Sequence, residues 1–119
     1  SFRVYIERVE GDMCKRFHTD VNNLRMLCTY SGQGTLWLNE ENVDREALFN
    51  MEGNEEIVIN TNSIQQSLTG SIVILKGATY PKDGTNAVVH RSPSIEESNE
   101  KRLLLRVDMN DYLNFFDEE

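Results

Sequence analysis

The apolar residues of this chain come in short runs, most alternating with polar ones, and Gly, Pro, Asn or Asp breaks each run before an ordinary helix can form. Such a chain has little choice but to fold from strands. Residues 2–9 set Phe2, Val4 and Ile6 at period two until Gly11-Asp12. Leu24, Met26, Cys28 and Tyr30 share one face of a second strand; Ser31-Gly32-Gln33-Gly34 reads as a turn and Thr35 to Leu38 as the returning arm of a hairpin. Glu56 to Asn60, Ala87 to His90 and Arg102 to Val107 are strand-like. Ser71 to Lys76, a β-branched run between Gly70 and Gly77, reads as a buried strand. Helical spacing is confined to Val43, Ala47 and Leu48, a short helix through Phe49 that Asn42 is placed to cap. About seven or eight strands with turns between them, and no internal repeat, predict an all-β domain. The expected architecture is a double-stranded β-helix, a jelly-roll or cupin-like barrel with at most a short helix.

At 119 residues and 39% hydrophobic content the chain can bury one modest core, so residues 1–119 are expected to form a single domain. Because alternation begins almost at Ser1, the domain reads as a fragment of a longer chain. Twelve basic against twenty acidic residues leave a charge of −8, with the basic residues dispersed, which argues against a nucleic-acid partner. No apolar run is long enough for a bilayer and the start lacks the order of a signal peptide, so the expectation is a cytoplasmic protein with no membrane partner. Cys14 and Cys28 are too few for a disulfide framework and read as free thiols.

Two histidines are present, and one opens a candidate metal site. In an extended segment residues i and i+2 point the same way, so His18 and Asp20 can bring an imidazole and a carboxylate to one point. His90, at the end of the AVVH strand, supplies a third ligand. Two histidines and a carboxylate with open positions suit non-haem Fe(II). H-x-D alone is a common pairing, and an exposed loop histidine beside an unrelated acid is its plain alternative. The order of the pair, the strands and the distal histidine is what distinguishes it.

On these residues a resemblance rests. The segment HTDVNNLRMLCTYSGQGTLWL is similar to the part of the Fe(II)/2-oxoglutarate oxygenases in which H-x-D precedes a strand, a glycine-bearing turn and a returning strand. The segment GSIVILKGATYPKDGTNAVVHRSPSIEESNEKRLLLRV resembles their later part, with the distal histidine and then an arginine opening the next strand. More closely, RFHTD, LRMLCTYSGQGTLWL, ILKG, VVHRSP and RLLLRVD resemble the bacterial domain-of-unknown-function family DUF1826, which brings no activity with it. The oxygenase resemblance implies Fe(II) on His18, Asp20 and His90, 2-oxoglutarate as cosubstrate held by Arg102, and decarboxylation to succinate and CO₂ coupled to oxidation of a substrate C–H bond. The substrate would be a small molecule or a protein side chain.

The anchoring arginine is open at this level. In RLLLRV one face carries Leu103, Leu105 and Val107, the other Arg102, Leu104 and Arg106. If the first fills the core, Arg102 points outward unless the second lines the barrel cavity; Arg106 and Arg91 are its rivals and Lys76 a weaker one. Tyr5 and Tyr30 are candidate donors to the cosubstrate, and Trp37, Arg91, Ser92, Cys14 and Cys28 candidate neighbours, with packing or solvation as the plainer role for each. Two further functions fit the residues: a cupin-like metal-binding barrel without 2-oxoglutarate chemistry, and a non-catalytic interaction module that docks through the tail DYLNFFDEE.

Overall fold

Strand pairing divides the chain between two antiparallel sheets in a computed structural model that describes residues 2–11, 15–81, 84–96 and 98–109. Cys14 and the aromatic-acidic tail lie outside the described residues. The strands are β1 (Phe2–Val9), β2 (Leu24–Ser31), β3 (Leu36–Trp37), β4 (Gln65–Gln66), β5 (Ile72–Lys76), β6 (His90–Arg91) and β7 (Arg102–Met109). One sheet has the order β1-β7-β2-β5, the other β4-β3-β6. An isolated bridge between His18 and His90 extends the second sheet beyond β6. The domain is therefore mostly β, but it is two sheets rather than the closed barrel expected above.

Four local expectations are corrected. Residues 24–38 do not form a hairpin: β2 pairs with β5 and β7, whereas β3 pairs with β4 and β6, so the turn carries the chain from one sheet to the other. Gly32 sits there at φ 92°, and a Cβ on it would meet the Lys101 carbonyl at the entrance to β7. Two short helices stand where at most one was expected: α1 (Arg45–Phe49) and α2 (Asn54–Ile57), with 3-10 turns at Glu40–Asn42 and Thr61–Ser63. Asp44, not Asn42, caps α1 by accepting from the Ala47 amide at 3.1 Å. Asn42 instead ties down residue 60, donating to the Asn60 carbonyl at 3.0 Å and accepting from its amide at 2.6 Å. The run from Glu56 to Asn60 holds the end of α2 and a bridge from Val58 to Val43 rather than a strand.

Packing shows which faces are inside. Phe17, Leu38, Val43, Ala47, Ile57, Val58 and Val89 form the main core, closing α1 and α2 over the second sheet; Val9, Ile95 and Leu104 form a smaller cluster on the first. β5 is an edge strand and not a buried one: Leu75 is in the core, while Ile72 and Ile74 are exposed. They share their face with Phe2, Val4 and Ile6 of β1, all exposed, and Leu103, about two-fifths exposed at 39%. The opposite face of the same sheet carries Glu7, Arg25, Arg102, Arg106 and Asp108, none of them exposed. The charged face of this sheet thus lies inside the molecule and the apolar face outside.

Candidate metal centre

Backbone pairing delivers the three candidate ligands to one place. The His18 amide donates to the His90 carbonyl at 3.0 Å and the His90 amide to that of His18 at 2.9 Å, so the two residues stand side by side at the rim of the second sheet. Past His18 the chain is held by the end of β5, where the Ala78 amide donates to the Asp20 carbonyl and the Gly77 amide to that of Asn23, each at 2.8 Å. Gly77 allows this approach because a Cβ there would run into the Asn22 carbonyl.

Side-chain hydrogen bonds aim the ligands. His18 Nδ1 lies 2.8 Å from the Arg16 carbonyl and His90 Nδ1 3.2 Å from that of Val88. A carbonyl accepts only, so each Nδ1 carries the proton and each Nε2 presents a lone pair. The two Nε2 atoms face Asp20 Oδ1 at 3.8 Å and 3.3 Å, and the imidazole centroids are 4.6 Å apart. Donor atoms of all three residues fall within 4.8 Å of one another. Ligands about 2.1 Å from one ion on adjacent octahedral positions stand about 3 Å apart; the His90 to Asp20 pair is near this spacing and the wider separations would have to close around an ion. Asp20 Oδ2 is buried and has no hydrogen-bond partner among the described residues. Lone pairs converging on one point beside an orphaned carboxylate oxygen are satisfied by a cation, a proton or a donating water between them. These residues fit a divalent metal.

Protonation favours the metal. Burial lowers the His18 pKa below 6.5, helped by the charges of His90 and Arg25 and opposed by its bond to Arg16 and by Asp20. Burial alone would raise the Asp20 pKa, but the close approach of His90 and the neighbouring Arg25 and His18 bring it below 3.8. Near neutral pH the site holds a neutral imidazole at His18 and an anionic carboxylate, the forms a metal needs.

Arg25 holds Asp20 in place and was not singled out by the sequence. Its Nη1 donates to Asp20 Oδ1 at 3.0 Å while Nε and Nη2 grip the two oxygens of Asp108 at 2.7 and 3.3 Å. Burial opposes its charge, but the Asp108 hydrogen bond and the charges of Asp20, Asp108 and Glu7 raise its pKa above the usual arginine value. Only the alternation of LRMLCTY put Arg25 opposite Met26 and Leu24, and that face reads as solvated until the sheet's orientation is known.

Between the sheets, beside His18 and His90, lies a cavity with about 80 Å³ open to water, walled by Glu7, Arg25, Arg102 and Arg106 among others. Here the rival arginines separate. Arg106 is engaged by Glu7 at 3.1 Å and Asp108 at 3.5 Å and stacks on Tyr5, its guanidinium carbon 4.1 Å from the ring centre. Arg91 lies against Phe17 and donates to the Ser92 carbonyl at 3.2 Å. Arg102 is 2% exposed, donates one long bond of 3.4 Å to the Thr29 hydroxyl, leaves Nε without an acceptor and forms no ion pair among the described residues. Burial pulls its pKa below the usual arginine value, with Glu7 only partly opposing. Ser92 lines the cavity; Tyr30 does not, being 55% exposed at the register shift between Thr29 and Ser31. Trp37 and Lys76 line a separate outer groove, and the buried Cys28 thiol is bonded to the Gly70 carbonyl.

Among the described residues no helix is long and apolar enough to cross a membrane. Over residues 1–108 the chain matches the family model described as "Protein of unknown function (DUF1826)". No curated protein and no solved structure matches it, so the likeness to the Fe(II)/2-oxoglutarate oxygenases rests on the motifs alone.

Proposed function

We propose that this chain, which belongs to the DUF1826 family, is a non-haem Fe(II)/2-oxoglutarate-dependent oxygenase built on an opened double-stranded β-helix. The observation that carries the proposal is one cavity lined by His18 and His90, two members of the convergent His18, Asp20 and His90 group, and by a buried guanidinium, Arg102, that has no carboxylate partner among the described residues. A buried unpaired cation is costly, and an anionic ligand removes that cost. The fold reading is supported by connectivity. With the His18 segment counted as a strand, eight segments divide four and four between the sheets, the number a jelly roll would need.

His18, Asp20 and His90 would hold the metal. Bound Fe(II) with 2-oxoglutarate and O₂ supplies oxidative decarboxylation of the 2-oxo acid coupled to hydroxylation of a C–H bond. The chain's part is positioning. Arg25 fixes the Asp20 carboxylate through Nη1, the Arg16 and Val88 carbonyls fix the imidazole tautomers, and Arg102 receives the distal carboxylate of the 2-oxo acid through its planar fork. Val9, Leu27 and Leu104 keep that side of the cavity apolar. Arg106 is reserved for Glu7 and Asp108.

Anaerobic titration with Fe(II) and then 2-oxoglutarate tests this. The expected result is a weak visible metal-to-ligand charge-transfer band that is absent in Arg102→Met. Metal uptake with no band in the parent chain would make the protein a cupin-like metal-binding barrel, and no uptake would leave an interaction module.

A further inference from the structure

His18 is shared by two concavities. Besides the inner cavity it lines an outer cleft of about 430 Å³ between residues 16–19 and the C-terminal end of α1, with Phe17, Leu48, Phe49 and Met51 as its apolar surface. That volume is in the range of small-molecule sites. Phe49 and Met51 are 85% and 73% exposed, unusual for such side chains flanking a cleft. Met51 also has φ 58°, a left-handed conformation just beyond the α1 C-cap that glycine or asparagine would take with less strain. Stability alone would not choose a methionine there; a flexible thioether over a binding cleft is a reason to keep one.

Charge completes the description. Two guanidiniums line the cleft. Arg45 is engaged by Glu40 at 2.6 Å and by the Ala87 carbonyl. Both have a buried Nε with no acceptor among the described residues, but Arg16, unlike Arg45, makes no ion pair among them. In a chain of net charge −8, a guanidinium with no described carboxylate partner beside apolar surface selects a ligand with an acid at one end and carbon at the other.

We infer that this cleft is the substrate site and that its substrate is a small amphipathic acid, whose acid group pairs with Arg16 and whose apolar body lies on Leu48, Phe49 and Met51 beside His18. The assignment as a substrate site rests on the metal reading above; the occupancy of the cleft does not. The test uses decanoate as probe and the full chain labelled at its methionine methyls, first without metal and then with Mn(II). The expected result is a saturable shift of the Met51 methyl. Arg16→Met should weaken decanoate at least tenfold and leave decanol unchanged, and Met51→Gly, read by calorimetry, should weaken both while raising thermal stability. With Mn(II) bound, decanoate protons should relax faster. An unmoved Met51 methyl, or equal decanoate affinity in Arg16→Met, overturns the site even if Mn(II) binds. Arg16-dependent binding in a protein that takes up no Mn(II) overturns the metal reading instead. Uptake of both without faster proton relaxation overturns the role of the cleft as substrate site.

Discussion

Replacing Arg102 with methionine should make the metal-free protein more stable and less able to bind an organic dianion. Arg102 is 2% exposed, its guanidinium donates only the 3.4 Å bond to Thr29 among the described residues, and Nε has no acceptor. Burial lowers its pKa, the sign of a charge held out of water without adequate compensation. Apolar replacement of buried ions of this kind is commonly neutral or stabilising by about 1–4 kcal/mol. With one weak hydrogen bond to lose, we expect a gain of about 1–3 kcal/mol by urea unfolding, each kcal/mol raising Tm by about 4 °C in a domain near this size. Binding should move the other way. Removing the charged partner of a buried carboxylate costs about 2–5 kcal/mol, or at least about thirtyfold in 2-oxoglutarate affinity. The assay is paired: urea unfolding without ligand, then thermal shift with Mn(II) and 2-oxoglutarate. A metal-free Arg102→Met protein more than about 1 kcal/mol less stable than its parent would refute the reasoning, since Arg102 would then be a satisfied structural residue.

Arg25→Met should leave the fold standing but lower Mn(II) affinity about 10- to 100-fold, the usual effect of losing a group that orients a ligand; calorimetric titration checks this. Because the folded-state pKa values of His18 and Asp20 are both lowered, protons compete weakly with the metal at these two ligands: a His18 that is anchored to the Arg16 carbonyl should remain available to the metal as pH falls past 6.5, checked by Mn(II) titration against pH. Both depressions also give the metal-free fold stability that is complete above the unfolded pKa of each group and lost as pH falls through the folded one, measurable as Tm against pH. Gly77→Ala should destabilise the protein by about 1–3 kcal/mol in urea, since the Asn22 carbonyl must move aside, and should weaken Mn(II) binding through Asp20.

The sequence made β1, β2 and β7 legible because long two-faced runs survive whatever packs on them, and β5 because its continuous β-branched run lies between two glycines. His18, Asp20 and His90 were legible for a similar reason: H-x-D in an extended segment puts both groups on one side, whichever sheet the segment joins. The Gly32 turn misled because the same turn chemistry serves a hairpin and a crossing between sheets, and only pairing with β7 and β3 decides between them. α2 read as a strand because four residues are too few to show a helical period and Ile57, Val58 and Ile59 favour β. β4, Gln65–Gln66, has no apolar alternation to betray it. Sheet orientation is the point the sequence leaves open. Alternation in LRMLCTY and RLLLRV separates an apolar from a charged face, and burial preference assigns the apolar one to the core. In this sheet the charged face lines the cavity, which is why Arg25 passed unnoticed and the choice among Arg102, Arg106 and Arg91 needed the structure. A sheet whose charged face walls a cavity inverts the rule, and one sequence carries no mark of that inversion.

The claim on which the rest depends is that His18, Asp20 and His90 hold one divalent metal. Calorimetric titration of the metal-free chain with Mn(II) addresses it directly, alongside His18→Ala, Asp20→Ala and His90→Ala variants verified as folded by circular dichroism. The account predicts one equivalent bound by the parent chain and loss of that site in all three variants. Stoichiometric binding of undiminished affinity in the variants, or no binding by the parent, would contradict it.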